Sequence, residues 1–432
     1  MLKPVWNPFS RYADRLEKRV DKILWRVSFA VVFKTQKKIL ALMQENMVIV
    51  DLWLEARFKG YKYLKRGVRK KMYQHAERIG QIFLEFAVKT PVDYPAVARN
   101  LQNLGLSVPG LPGDDEKLKY LAAIMQFLNP RSGRYEYLEG ASFGKLLTDP
   151  DRQKKMIGDC NQIVTFYVFL YSLKYDIKDL QIKLMEKHVC LHFRGLDIEA
   201  TAGVFANYKK FLHLLPVVEL VPTNLLDVSD FRDKQIRVDP RHLLKSAQLA
   251  YNLSTDRELI GENLKISYHN VAIDALNADD FEMAIFFAEK AGAGGAAAGA
   301  GDPAISRLIS TILHNAVVYF VKAKDFRKAR YYLDKSGQYD LQKYVDENEA
   351  YYLFDQDSLD KAREIFARTG NRQMVKACWA KEYNKIQSRV AGIKELAAMK
   401  SHRWDYQKML ELARKMEDSE LVNNLSELLK KL

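Results

Sequence analysis

Five side chains between residues 160 and 199 have types and spacing suited to nucleophilic chemistry: Cys160, His188, His192, Asp197 and Glu199. A cysteine becomes a nucleophile when a base takes its proton, and the base works best when an acceptor on its other nitrogen holds the ring. Cys160 follows Gly158-Asp159 and precedes the apolar run Ile163 to Leu173, which is long enough for a buried helix. The thiol is therefore expected at a helix N-terminus, where unpaired N–H groups and the macrodipole favour the anion.

For the base, Gln181 to Leu184 and Val189 to Phe193 read as strands, and Arg194-Gly195 as a tight turn into a third strand, Asp197 to Thr201. Alternate residues of a strand share a face, so 188, 190 and 192 project together, as do 197 and 199. A two-residue turn sets His192 opposite Asp197 and leaves His188 diagonal to Glu199. Two candidate dyads stand at this point. Cys190 shares the face but lies in a strand, without a helix N-terminus, and reads as packing. A metal site is disfavoured, because strand residues four apart are separated by about 13 Å, too far to share one ion. Neither metal nor cofactor is expected.

Taken in order, Gly158 and Cys160 at a helix start, His188 opening a strand, and Glu199 two residues before Thr201 with Gly203 just beyond form a pattern that resembles the transglutaminase-like superfamily of papain-like cysteine enzymes. The resemblance covers about residues 140 to 205 and implies Cys160 as nucleophile, His188 as base and Glu199 as orienting acid. The family usually has Asp, often followed by Pro, where this chain has Glu199-Ala200, so Asp197 is the alternative acid. The fold implied is α+β, a papain/transglutaminase-like core in which the cysteine helix packs on a small antiparallel sheet. The activity implied is acyl transfer through a thioester on a protein or peptide substrate, as protease, deamidase or crosslinking enzyme. An oxyanion would need donors, for which the Cys160 N–H and Gln153 are candidates.

Around this core the chain is helical. Apolar residues recur at helical spacing from Ser10 to Ala87, as in Leu16, Val20, Ile23, Leu24, Val27 and Val31, and predict two or three amphipathic helices. Pro91, Pro95, Pro109 and Pro112 make Thr90 to Gly113 a connection, after which Asp114 or Asp115 can cap a helix through Leu118 to Leu128. Asn129 to Gly140 is turn-rich.

Beyond Tyr268 an internal repeat takes over. Asn270, Asn315 and Asn348 each lie 14 residues before an alanine, Ala284, Ala329 and Ala362, and Phe281, Phe326 and Leu359 each precede that alanine by three. The period is 33 to 34 residues once the 11-residue Gly/Ala run Ala291 to Gly301 is set aside. This resembles the tetratricopeptide repeat, with Ala362 and Phe366 matching its small and aromatic positions, and implies a C-terminal helical platform for a protein partner. The expected divisions are a basic helical segment over 1–90, the cysteine domain over 91–235 and the repeat domain over 236–432.

The net charge is +14, of which residues 1–71 carry +12. Within them Lys65, Arg66, Arg69, Lys70 and Lys71 form the sharpest basic cluster, a candidate for docking an anionic membrane surface or nucleic acid. The bland alternative is a solvated face over an aromatic core. The three cysteines are odd in number and far apart, and the sequence has neither a secretory pattern nor about 18 uninterrupted apolar residues. A reducing cytoplasm is expected. Besides an enzyme, the sequence is compatible with a non-catalytic scaffold on the same fold.

Overall fold

The structure is a computed structural model that describes residues 10–25, 27, 32–61, 63–108, 110, 112–139, 141–152, 155–227, 239–293 and 302–432. It is mostly helical, with a small antiparallel sheet and a C-terminal helical region. The chain divides into two compact units, Met1–Asp274 with Lys290–Ala300 and Ala275–Glu289 with Gly301–Leu432. The first unit runs through the divisions read near residues 90 and 235. Its N-terminal helices and its sheet share one core, built from residues as distant as Leu16, Met43, Phe83, Leu191 and Ile260.

At the centre of that unit lies the helix Cys160–Ser172. Ile163, Val164, Phe166, Tyr167, Val168 and Phe169 leave it no polar stripe, so every side must be covered. The long helix Val32–Leu54, the helix Asp114–Phe127 and the sheet cover it. Val32–Leu54 breaks at Asn46, whose backbone is extended and whose Oδ1 accepts the Ile49 amide at 3.1 Å, restarting the helix as a cap does.

The N-terminal basicity is partly an interior feature. Arg69 is 5% exposed, because it falls on the same face of the helix Arg66–Lys89 as Tyr73, Ala76, Ile79 and Phe83. Its Nε donates to Glu17 Oε1 at 2.7 Å, Tyr73 Oη donates to the same oxygen at 2.6 Å, and its guanidinium lies over the Trp53 ring. Arg69 is thus removed from the proposed polyanion-binding cluster, while Lys65, Lys70 and Lys71 are exposed and Arg66 is half-buried. Trp53 and Tyr61 are core and Trp25 and Phe33 are exposed, whereas Trp6, Phe9 and Phe29 lie outside the described residues.

The passage read as a connection contains a helix, Tyr94–Asn103. Pro95 does not oppose it, since it sits in the first turn, where a missing N–H costs nothing, and Asp93 caps the Ala96 amide. The turn-rich passage also hides a strand: β1 (Tyr135–Tyr137) pairs in parallel with β2 (Met156–Gly158). Two three-residue strands are too short to leave an alternation in the sequence.

The main sheet comprises β3 (Leu180–Met185), β4 (His188–Phe193), β5 (Leu196–Glu199), β6 (Val204–Ala206) and β7 (His213–Pro216), in the antiparallel order β6-β5-β4-β3-β7. The β4–β5 turn has Arg194 at φ 49° and Gly195 at φ 88°, the left-handed pair a two-residue hairpin requires, and it sets His192 opposite Asp197. A second two-residue turn, Glu186-Lys187, joins β3 to β4 and makes His188 the first residue of its strand.

In the second unit Ala284, Ala329 and Ala362 are each the fourth residue of a helix, in Phe281–Ala293, Phe326–Ser336 and Leu359–Thr369, and none is exposed. Each helix is entered the same way. Asp279, Lys324 and Asp357 are left-handed at φ 56°, 62° and 60°, and the following Asp280, Asp325 and Ser358 donate their amides to Ala275, Phe320 and Leu353. One helix here, Pro303–Lys322, is long and apolar enough to cross a membrane by length and composition. It packs against Phe326–Ser336, with Ile312, Ala316 and Val317 buried.

Candidate active site

β2 delivers Cys160. The Gly158 carbonyl accepts from Tyr135 Oη at 2.9 Å and from the Leu138 amide at 3.0 Å, which fixes the end of the strand. A side chain at Gly158 would force the buried Leu146 to shift, because a Cβ there would lie 2.7 Å from Leu146 Cδ1. The chain then turns into the helix through a capping box. Asp159 Oδ1 accepts the Asn161 amide at 3.0 Å and the Gln162 amide at 3.4 Å, and Gln162 Oε1 accepts the Asp159 amide at 3.1 Å. Cys160 is the first helical residue, and its own N–H lies outside that cap. Its sulfur enters at the positive end of the macrodipole.

β4 and β5 deliver the partners. His188 Nε2 lies 2.7 Å from Glu199 Oε2, leaving Nδ1 as the ring nitrogen available to the thiol. The His188 ring is pushed up to about 10, first by its hydrogen bond with Cys160 and then by Glu199, against the opposing effect of burial. Burial works to raise Glu199 too, but hydrogen bonds from His188, Thr201 and Tyr208 outweigh it and hold the carboxyl below its usual range. The Thr201 amide reaches Glu199 Oε1 at 3.0 Å, and Tyr208 Oη reaches Oε2 at 2.8 Å. Cys160, His188 and Glu199 are therefore brought together, with His188 hydrogen-bonded to Glu199 and its ring close enough to the Cys160 thiol for the thiol to raise it.

Asp197, the alternative acid, lies elsewhere. It accepts from His192 Nδ1 at 2.7 Å, from the Tyr208 amide at 2.7 Å and from Lys183, whose Nζ is 2.6 Å away. The Gly195 amide donates to His192 Nε2 at 3.1 Å, so both nitrogens of that ring are committed. Cys190 is buried, and burial raises its thiol. Among the described residues no group of three or more His, Cys, Asp or Glu is arranged to hold a metal. Gln153 lies outside the described residues.

A cleft of about 530 Å³ opens over Cys160 and His188. Glu139, Asp159 and Asp227 give it acidic groups, and Leu184, Leu212 and Leu226 give it apolar ones. Asp159 is pushed up to about 7 by its burial and next by the charge of Asp227. Two contributors escaped the sequence reading. Asp159 was signalled, since Asp followed by Gln three residues on is a capping box. Tyr208 was not, because its loop carries no motif. Such an arrangement can generate a thiolate, pass a proton to or from a bound group and offer one backbone donor to an oxyanion. The chain matches no family model, no curated protein and no solved structure.

Proposed function

We propose that this chain is a cysteine acyl-transfer enzyme with a papain-like core of transglutaminase type, followed by tetratricopeptide-like repeats that dock a protein partner. The observation that carries the reading is a single imidazole, His188, held between the Cys160 thiol and the Glu199 carboxylate. A protonated ring beside the sulfur is the partner a thiolate needs.

The reaction follows from that arrangement. Sulfur attacks the carbon of a substrate carboxamide, forming a C–S bond, while the Cys160 N–H faces the developing oxyanion. His188 gives its proton to the nitrogen as the C–N bond breaks, and ammonia or an amine leaves. Water or an acceptor amine then attacks the thioester, His188 takes its proton, and the thiolate returns. Glu199 holds the ring throughout, as an acceptor in a triad does.

Ammonia release from a glutamine-containing peptide, together with mass-spectrometric trapping of an acyl group on Cys160, tests this. Wild type should turn over and Cys160→Ala should not. Absence of both turnover and labelling of Cys160 by iodoacetamide at neutral pH would leave a non-catalytic scaffold instead.

A further inference from the structure

A second cavity, of about 350 Å³, lies between the helices Arg66–Lys89 and Asp114–Phe127 and strand β2. Its walls are mostly apolar, from Ile79, Ile82, Phe127, Pro150 and Met156, with Arg134 as its charged group. The Arg134 guanidinium is held over the Phe127 ring, 4.5 Å from the centroid, and over Phe86 at 5.3 Å. Its Nη1 is buried and has no hydrogen-bond partner.

Arg134 is half-buried, and it differs from three fully buried cations that have carboxylate partners. Arg69 has Glu17, Lys183 has Asp197 and Lys59 has Glu55. Among the described residues Arg134 pairs with no carboxylate. The protons of the polar groups lining the cavity are otherwise committed, since Ser132 Oγ donates to the Asn129 carbonyl, Thr148 Oγ1 to the Lys155 carbonyl and the Gly133 amide to the Pro130 carbonyl. The volume falls within the range of small-ligand pockets, roughly 300–1,000 Å³.

We infer that this cavity binds a small organic monocarboxylate, its carboxylate on Arg134 and its apolar body against Ile79, Ile82, Phe127 and Met156. One guanidinium with no second cation suits a monoanion, and a dianionic phosphate would lack donors. The site is independent of the Cys160 chemistry, although Met156 lies in the strand that leads to Cys160.

Titration calorimetry and thermal melting of the full chain with 4-phenylbutyrate, and with 4-phenylbutan-1-ol as the uncharged control, test the inference. The acid should bind saturably and raise the melting temperature, and the alcohol should bind at least about tenfold more weakly. Arg134→Met should lose about tenfold or more for the acid alone. Ile82→Trp, which fills the cavity, should lose both ligands, and Cys160→Ala should bind as wild type does. Equal binding of acid and alcohol, no saturable binding up to about 10 mM, or unchanged binding by Arg134→Met would overturn the assignment. If Arg134→Met does not fold, undiminished binding by Ile82→Trp would overturn it equally.

Discussion

Two histidine–carboxylate pairs stand on one hairpin, with equal 2.7 Å contacts, and differ in almost everything else. His188–Glu199 is at the strand end, its ring 28% exposed and lining the cleft beside a thiol. His192–Asp197 lies inward, its ring 10% exposed, with Lys183 closing the carboxylate and Gly195 closing the ring. A proton relay needs one nitrogen in reserve, and only the first pair keeps one. The second ties three strands together: Lys183 of β3, His192 of β4 and Asp197 of β5. Distance alone does not separate chemistry from architecture. What each ring has left over does.

The largest test of that contrast is reactivity. His188→Ala should slow iodoacetamide labelling of Cys160 at neutral pH by about 10–100-fold, the fall in thiolate fraction when an ordinary thiol of pKa about 8.5 replaces a thiolate–imidazolium pair, and His192→Ala should leave the rate within a few-fold. Equal losses would erase the distinction. Stability should show the reverse ranking. Asp197→Ala strands Lys183 in the interior and should cost about 3–5 kcal/mol in urea denaturation, whereas Glu199→Gln keeps a hydrogen-bonding partner and should fold normally with slower labelling. Replacing Lys183 and Asp197 together by Met and Leu should recover much of the loss.

The smaller test is pH. A group whose folded pKa is raised stabilises the fold below its ordinary value, and that stability is lost as pH rises through the folded one. For Asp51, lifted to about 6 chiefly by burial, and Asp159, lifted to about 7, the window runs upward from 3.8, and for His188 from 6.5 to about 10. Asp197 and Glu199 act oppositely, stabilising above their ordinary values and losing that as pH falls through their lowered ones. Stability should therefore be highest in acid, about pH 4, and decline toward pH 9. Asp159→Asn should flatten the part of the decline between about pH 4 and 7, and an unchanged slope would contradict the burial argument.

The hairpin was legible because Arg194-Gly195 is a turn dipeptide between period-two strands, and the register follows from its length. Spacing left the two dyads equal, since what separates them arrives from Lys183, 14 residues before Asp197, and from Tyr208 in a featureless loop. β1 and β2 were illegible for want of length. Arg69 could have been read correctly: counting 4, 7, 10 and 14 onward gives Tyr73, Ala76, Ile79 and Phe83, the buried stripe of its helix. The repeat alanines were visible in spacing, but the left-handed residues ahead of their helices were not, because Asp279, Lys324 and Asp357 have no common type.

The pairing of Glu17 with Arg69 also has a meaning during biosynthesis. The partners are 52 residues apart, and Glu17 is fully buried by the contact. A ribosome adding about 5–20 residues per second separates their appearance by roughly 3–10 s. Until Arg69 emerges, docking the helix Arg15–Leu24, which carries Glu17, would bury a carboxylate with no cation to meet it. That nascent helix must therefore wait in solvent, and its charge, high for a core element, keeps it soluble while it waits.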